Sequence, residues 1–178
     1  MSTCIALLRG VNVGGITVKS ADLRDLFVDL GFEGVRTVLA TGNVVFEASD
    51  RDAADASALK SRIERALGER FGYDAWIVLS TVDHVARVID AFPFDADDAT
   101  RQPWVIFGSD EQVLDELEAA AADLDPDADP VARGDGVVYW NPIKGTTTVT
   151  PFAKLLAKAK VKPSTTNRNL RTLRKMVG

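Results

Sequence analysis

The chain opens with an apolar run, Thr3-Cys4-Ile5-Ala6-Leu7-Leu8, that leads into Arg9-Gly10-Val11-Asn12-Val13-Gly14-Gly15. Residues 3–11 predict a buried strand, because an apolar run closed by turn-forming residues is typical of one. The Gly, Asn and Arg residues allow a backbone to approach a ligand closely and to offer it N–H donors. This stretch therefore predicts a buried strand that ends at a candidate binding loop.

The pattern after this loop contains two helices. Apolar residues recur at helical spacing in residues 20–30 and again in residues 53–71. Three short β-prone runs accompany them. Residues 35–40 and 44–48 predict a hairpin around Thr41-Gly42-Asn43, and residues 75–79 predict a further strand. The resulting order, β-α-β-β-α-β, is that of ferredoxin-like folds.

The second half of the chain repeats part of this plan. Residues 104–107 predict a strand, residues 110–117 a helix, and residues 137–140 a strand that follows a hairpin around 133–136. Two short C-terminal helices follow, and Pro163 between them predicts an extended segment over residues 161–166.

The sequence therefore predicts an α+β fold with two ferredoxin-like (α/β-plait) lobes within a single unit, residues 1–178. We place the N-terminal lobe at residues 1–80. The C-terminal lobe, at residues 81–178, has the order β-α-β-β, followed by the helices and a basic tail.

Composition limits the classes of function. The 178 residues are 46% apolar and 26% charged, which is ordinary for a globular protein. No stretch approaches the roughly 18 apolar residues of a membrane helix, and no secretion signal is apparent near Met1. We expect a cytoplasmic protein without a membrane partner.

The single cysteine and single histidine narrow the chemistry further. One cysteine excludes an internal disulfide and a multi-thiolate metal site, and one histidine removes most zinc and serine-hydrolase sites. We expect Cys4 to be a plain buried thiol and His84 to lie at the surface or near a helix cap. No metal and no cofactor is predicted.

The net charge of −5 conceals a strong asymmetry. Nine of the 21 basic side chains lie in residues 143–178, which contain no acid, and the rest of the chain holds the other 12 together with all 26 acids. A basic end on an acidic body can bind phosphates, and it can equally neutralise the body against which it packs.

The loop after Leu8 matches neither nucleotide fingerprint. Its glycines do not form G-x-G-x-x-G, and Val18 stands where a P-loop requires glycine. The remaining interpretation is that loop amides and Arg9, Asn12 and Lys19 hold an anion. The alternative is that the glycines only turn the chain and that Arg9 pairs with an acid.

Two other polar segments carry similar alternatives. Asn43 either offers its amide beside the first loop or is the structural asparagine of a tight turn. In residues 165–169, a threonine or asparagine caps the last helix, or Arg168 faces a ligand. Our leading hypothesis is a small-ligand or anion-binding protein in which eight residues converge: Arg9, Asn12, Gly14, Gly15, Asn43, Lys154, Arg168 and Asn169.

Two other functions stay open. Open sheet edges suit a protein-interaction module, including a homo-oligomer. Nucleic acid is not a favoured partner, because the first predicted strand lacks the aromatic side chains of RNA-binding sheets, but weak binding through the basic C-terminal segment is a third alternative. The 26 acids include no pair in a distinctive apolar setting, so no catalytic residue is identified and the question of enzymatic activity stays open.

Several of these motifs together resemble the DUF1697 family of bacterial proteins of unknown function. The resemblance lies in residues 8–15, 41–46, 139–145 and 166–172. It implies two α/β-plait lobes but no substrate. Ala153 and Leu170 depart from the serine and tryptophan expected at those positions in the family.

Overall fold

The structure of this chain is a computed structural model that describes residues 1–9, 16–39, 42–158 and 160–178. It has a mixed α+β fold with two four-stranded antiparallel sheets, which confirms the predicted α+β class. The chain divides into two compact units, Met1–Val85 with Lys175–Gly178, and Ala86–Arg174.

The first unit contains one sheet and three complete helices. Its elements are β1 (Ser2–Arg9), α1 (Ser20–Asp29), β2 (Glu33–Thr37), β3 (Asn43–Ala48), α2 (Asp50–Ala54), α3 (Ala56–Phe71) and β4 (Trp76–Thr81). The strand order is β2-β3-β1-β4, so the apolar run that opens the chain forms a central strand. Ile5, for example, lies opposite Val45 on one side and Ser80 on the other.

The predicted helix over residues 53–71 is wrong in one respect, because two helices occupy this region. Asp55 leaves helical geometry and its carboxylate accepts a hydrogen bond from the Ala58 amide at 3.0 Å, which caps α3. Ser49 caps α2 in the same way through the Asp52 amide. Both are side chains that compete with the helical backbone for hydrogen bonds.

Both faces of β1 are buried. Ala6 and Leu8 join the cluster formed with α1 and α3, while Ile5 and Leu7 are fully buried on the opposite face. Phe46 of β3 lies at the centre of the helix-side cluster, with its ring centroid 4.6 Å from that of Phe32.

The two edges of the first sheet are irregular or occupied. In β2 the register shifts between Glu33 and Arg36, and Gly34 has a φ of +56°. The Arg36 guanidinium donates to the carbonyl of Met176. On β4, the Ile77 amide donates to the Glu64 carboxylate at 3.1 Å. These features hinder the addition of another strand.

The second unit is built around the other sheet. Helix α4 (Val82–Asp90) leads into it, and its elements are β5 (Trp104–Gly108), α5 (Glu111–Ala121), β6 (Val131–Arg133), β7 (Val137–Trp140), α6 (Pro151–Leu156), a 3-10 turn (Lys162–Ser164) and β8 (Thr165–Asn169). Helix α7 (Leu170–Val177) follows. The strand order is β6-β7-β5-β8.

The extended segment predicted around Pro163 forms only in part. Thr165 and Thr166 begin β8, which pairs with β5, but Pro163 lies in the 3-10 turn. Proline is tolerated in the first turn of a helix, where its missing N–H is not needed. Strand β8 extends the predicted β-α-β-β order to β-α-β-β-α-β.

The core of the second unit contains a buried carboxylate. Asp129 is 2% exposed and accepts hydrogen bonds from the Trp140 indole at 2.9 Å and from the Phe152 amide at 3.2 Å. The rings of Trp140 and Phe152 pack with centroids 5.3 Å apart. Asp129 therefore fastens the loop after α5 to both β7 and α6.

The hairpin loop between β2 and β3 holds a leucine in a strained conformation. Leu39 has a φ of +57° and is 49% exposed. The loop is closed by the Asn43 side-chain amide, which donates to the Val38 carbonyl at 2.8 Å, and by the Val38 amide, which donates to the Asn43 carbonyl at 3.0 Å. These bonds hold Leu39 where a residue with a Cβ is disfavoured.

Leu39→Gly is expected to stabilise the protein by about 0.5–1 kcal/mol, because relief of left-handed strain exceeds the entropic cost of glycine. Urea unfolding measures this change. Leu39→Ala is the control, since it removes the side chain and keeps the strain. A glycine variant that is no more stable than the alanine variant would show that Leu39 is not strained.

Asp129→Ala is expected to cost about 2–4 kcal/mol, because it leaves the Trp140 indole and the Phe152 amide without their acceptor. Urea unfolding of Asp123→Ala, an exposed acid of the same loop, supplies the control and is expected to change stability by less than about 0.5 kcal/mol. Equal effects of the two variants would contradict the fastening role of Asp129.

Candidate functional site

Arg168 is a buried cation in the second sheet. It lies on β8 opposite Val105, which in turn lies opposite Tyr139, so all three side chains share one face. Arg168 is 7% exposed. Its Nη1 donates to the Thr166 hydroxyl at 2.7 Å and to the Asn167 carbonyl at 2.9 Å.

Burial lowers the pKa of Arg168 to about 10, because the low-dielectric surroundings disfavour the charged form. The guanidinium still carries its charge at neutral pH. The structure therefore holds a positive charge at a fixed position within the sheet, and its two bonds from Nη1 orient the planar group.

Asn169 follows Arg168 at the end of β8 and directly precedes the last helix. Its Oδ1 accepts a hydrogen bond from the Arg171 amide at 2.9 Å, in the first turn of α7. This contact confirms the alternative in which an asparagine caps that helix. A ligand contact by Asn169 stays a prediction.

Lys154 belongs to α6, which lies on the other side of the second sheet. It is exposed on α6, and the buried residues Phe152 and Leu156 of this helix pack in the cluster that contains Ile106. Ile106 and Val105 alternate on β5, so α6 covers the face opposite to that of Arg168. Strand alternation is the reason that these two predicted residues do not share a face.

The structure brings Arg9 and Asn43 to one end and one face of the first sheet. Asn43 lies opposite Leu7, and Arg9 is two residues further along β1, opposite Trp76. Asn43 is fully buried and its amide closes the β2–β3 hairpin, which confirms the structural alternative for this residue. Arg9, half-buried at the end of β1, stays a candidate for ligand contact.

Three predicted residues, Asn12, Gly14 and Gly15, lie outside the described residues. The other five belong to different units: Arg9 and Asn43 to the first, and Lys154, Arg168 and Asn169 to the second. The convergence of the whole set therefore stays a prediction.

The structure shows the burial of Cys4 and the hydrogen bonds of His84. Cys4 is 4% exposed and burial raises the pKa of its thiol, which confirms the prediction of a buried thiol. The His84 amide donates to the Thr81 hydroxyl at 3.1 Å, and its Nδ1 lies 2.7 Å from the Ser80 hydroxyl. The prediction of a histidine near a helix cap is confirmed.

Several polar groups in the second unit have no functional signal in the sequence. Asp129 stands in an acidic stretch that resembles a solvated loop, so its burial has no local signal. Among the described residues, the buried Oδ1 of Asn167 and Nε1 of Trp104 have no hydrogen-bond partner. Asn167 and Trp104 lie on the face of the sheet that α6 covers. This position follows from the pairing of β5 with β8 and is not apparent from the sequence.

Within the described ranges, no group of three or more His, Cys, Asp or Glu residues could hold a metal ion. None of the helices in these same ranges is long and apolar enough to cross a membrane.

Comparisons with known proteins agree with this architecture. The conserved bacterial protein SP0830 from Streptococcus pneumoniae is similar in structure, with a TM-score of 0.79 and 21% sequence identity over 99% of this chain and 97% of that chain. At this identity the likeness shows the fold alone. A search of curated proteins finds no match to this chain.

The family model described as "Protein of unknown function (DUF1697)" matches residues 1–139. This match covers most of the chain and includes the first two motifs of the resemblance. The chain therefore belongs to the DUF1697 family.

Proposed function

We propose that this protein binds a small anionic ligand, such as a phosphate-containing molecule, with Arg168 as the charged anchor. The observation that carries the proposal is the burial of this guanidinium in the second sheet. The charge of a buried arginine costs several kcal/mol in desolvation, and a well-packed apolar side chain often stabilises a core equally well. A function for the charge explains its presence better than stability does.

The chemistry of the side chain defines the ligand class. A guanidinium presents a planar fork of donors that fits carboxylate or phosphate oxygens in pairs. Away from water its attraction for an anion is stronger than at the surface. The Thr166 hydroxyl and the Asn167 carbonyl orient Nη1, so the direction of the fork is set before any ligand binds.

Arg9, Asn12, Gly14, Gly15 and Asn169 are included in the proposed site on the strength of the sequence pattern alone. Asn43 supports this site indirectly, because its amide closes the hairpin loop beside the end of β1. Lys154 is not assigned a contact with the same ligand as Arg168, because α6 covers the other face of the sheet.

The irregular edges of the first sheet do not favour the alternative of assembly by strand addition, since both β2 and β4 have features that hinder pairing. We propose in addition that each unit is a ferredoxin-like lobe. The strand orders β2-β3-β1-β4 and β6-β7-β5-β8, each from a β-α-β-β-α-β succession, support this assignment. A bacterial origin and a cytoplasmic location stay predictions.

The proposal is tested by thermal shift and calorimetry with inorganic phosphate, sulfate, nucleotides and sugar phosphates. A ligand at about 100 times its dissociation constant stabilises by about 2.7 kcal/mol, which for this size corresponds to roughly 5–10 °C in Tm. We expect Arg168→Lys to weaken binding of the responding anion about tenfold and Arg168→Gln to weaken it further, because lysine keeps the charge but loses the fork.

Arg174→Gln is the matched control, since it removes an exposed positive charge from α7, and it should leave the binding unchanged. Circular dichroism confirms folding of each variant. Equal affinity of wild type and folded Arg168→Lys and Arg168→Gln for the responding anion would contradict the anchor role. The absence of a response to every anion in the panel would contradict the proposed function.

A further inference from the structure

The second unit carries an exposed group of lysines that the proposed anion site does not use. Residues 136–178 contain no acid. Of the nine basic side chains in this region, only Arg168 is buried. Three of the exposed ones, Lys154, Lys158 and Lys160, follow one another from α6 into the next turns, and we name them the lysine ridge.

The backbone of the lysine ridge is held by hydrogen bonds. The Lys158 amide donates to the Leu155 carbonyl at 3.2 Å, and the Lys158 carbonyl accepts from the Val161 and Lys162 amides, both at 2.9 Å. Hydrogen bonds of turns thus follow the end of α6. Lys154 and Lys158 are four residues apart, a spacing that places side chains on the same side of such a segment.

The inner side of this segment is anchored in the core. Phe152, Leu156 and Val161 are buried in the cluster under α6. The lysines therefore extend from a fixed platform, and their ammonium groups need not be ordered from a disordered tail when a partner binds.

The lysines of the ridge stand in a stretch of sequence, residues 136–178, that contains no acid. In the part of the chain that the structure describes, Lys154, Lys158 and Lys160 make no ion pair. Helix α3 shows the usual arrangement, in which Lys60 bonds Glu64 four residues later at 2.9 Å. Like charges at this spacing destabilise a helix by a few tenths of a kcal/mol. A bound polyanion would remove that repulsion.

We propose that the lysine ridge binds the phosphate backbone of nucleic acid without reading its sequence. Lysine ammonium groups neutralise successive phosphates and release their counterions. Base stacking needs an exposed aromatic ring, and the only aromatic residue in 143–178 is Phe152, which is fully buried. The interaction is therefore electrostatic and independent of the Arg168 site.

The test is fluorescence anisotropy with a labelled oligo-dT of about 20 nucleotides and with a duplex of similar length, each titrated with the full chain over a range of salt concentrations. We compare Lys154→Gln/Lys158→Gln/Lys160→Gln with Lys144→Gln/Arg171→Gln/Arg174→Gln. Both triple variants lose three exposed positive charges, so the control has the same net charge as the ridge variant.

Affinity is expected to fall steeply with salt. The ridge variant should bind at least about tenfold more weakly, with a salt slope reduced by about 2–3, because each phosphate contact contributes about 0.7–0.9 to the slope. The control should retain most of the affinity. Thermal unfolding of the ridge variant should show equal or higher stability, since like-charge repulsion is removed.

Three results would overturn the proposal: no binding of either oligonucleotide at about 50 mM salt, equal losses in the two triple variants, or binding to phosphatidylserine vesicles but not to oligonucleotides. The vesicles are included because Ile143 and Val149, which belong to the same acid-free region of the sequence, are exposed. Arg168→Lys should leave oligonucleotide binding unchanged, so failure of the ridge and failure of the anion site are distinguishable.

Discussion

The pairing of β1 on both sides is the constraint on which the first unit depends. This strand hydrogen-bonds to β3 and to β4, and its side chains are buried on both faces. A strand in this position cannot carry polar side chains in its interior, because they would lack partners. Polar chemistry is therefore displaced to its end, where Arg9 lies two residues beyond Leu7, the partner of Asn43.

The sequence predicts those helices and strands in which the pattern of apolar residues matches the pattern of buried positions. The apolar run of residues 3–8 can only be a buried strand or a short buried helix, and the turn residues after it favour the strand. Strand β8 lacks such a signal, because Thr-Thr-Asn-Arg-Asn has no apolar residue and its position depends on pairing with β5. The break between α2 and α3 at Asp55 cannot be predicted from apolar periodicity either, because it depends on one side chain that accepts a hydrogen bond from a nearby backbone amide.

In the candidate site, too, some features are predictable from the sequence and others depend on tertiary contacts. The sequence identifies Arg168 and Asn169 as members of the polar stretch 165–169, and both the capping and the ligand alternatives are consistent with this pattern. Only the structure shows that Arg168 is buried and that α6, with Lys154, covers the other face. Faces of a sheet follow from register, and register is set by contacts between residues far apart in sequence.

Asp129 joins the acidic loop after α5 to the helix that precedes the lysine ridge, since its carboxylate accepts from both the Trp140 indole and the Phe152 amide. Helix α6 has only six residues, too few to persist away from its packing partners. We therefore expect opening of the loop and fraying of α6 to be coupled. In hydrogen exchange, the Phe152 amide and the Trp140 indole should share one opening free energy, and the proposed nucleic-acid surface would lose its platform in that same fluctuation.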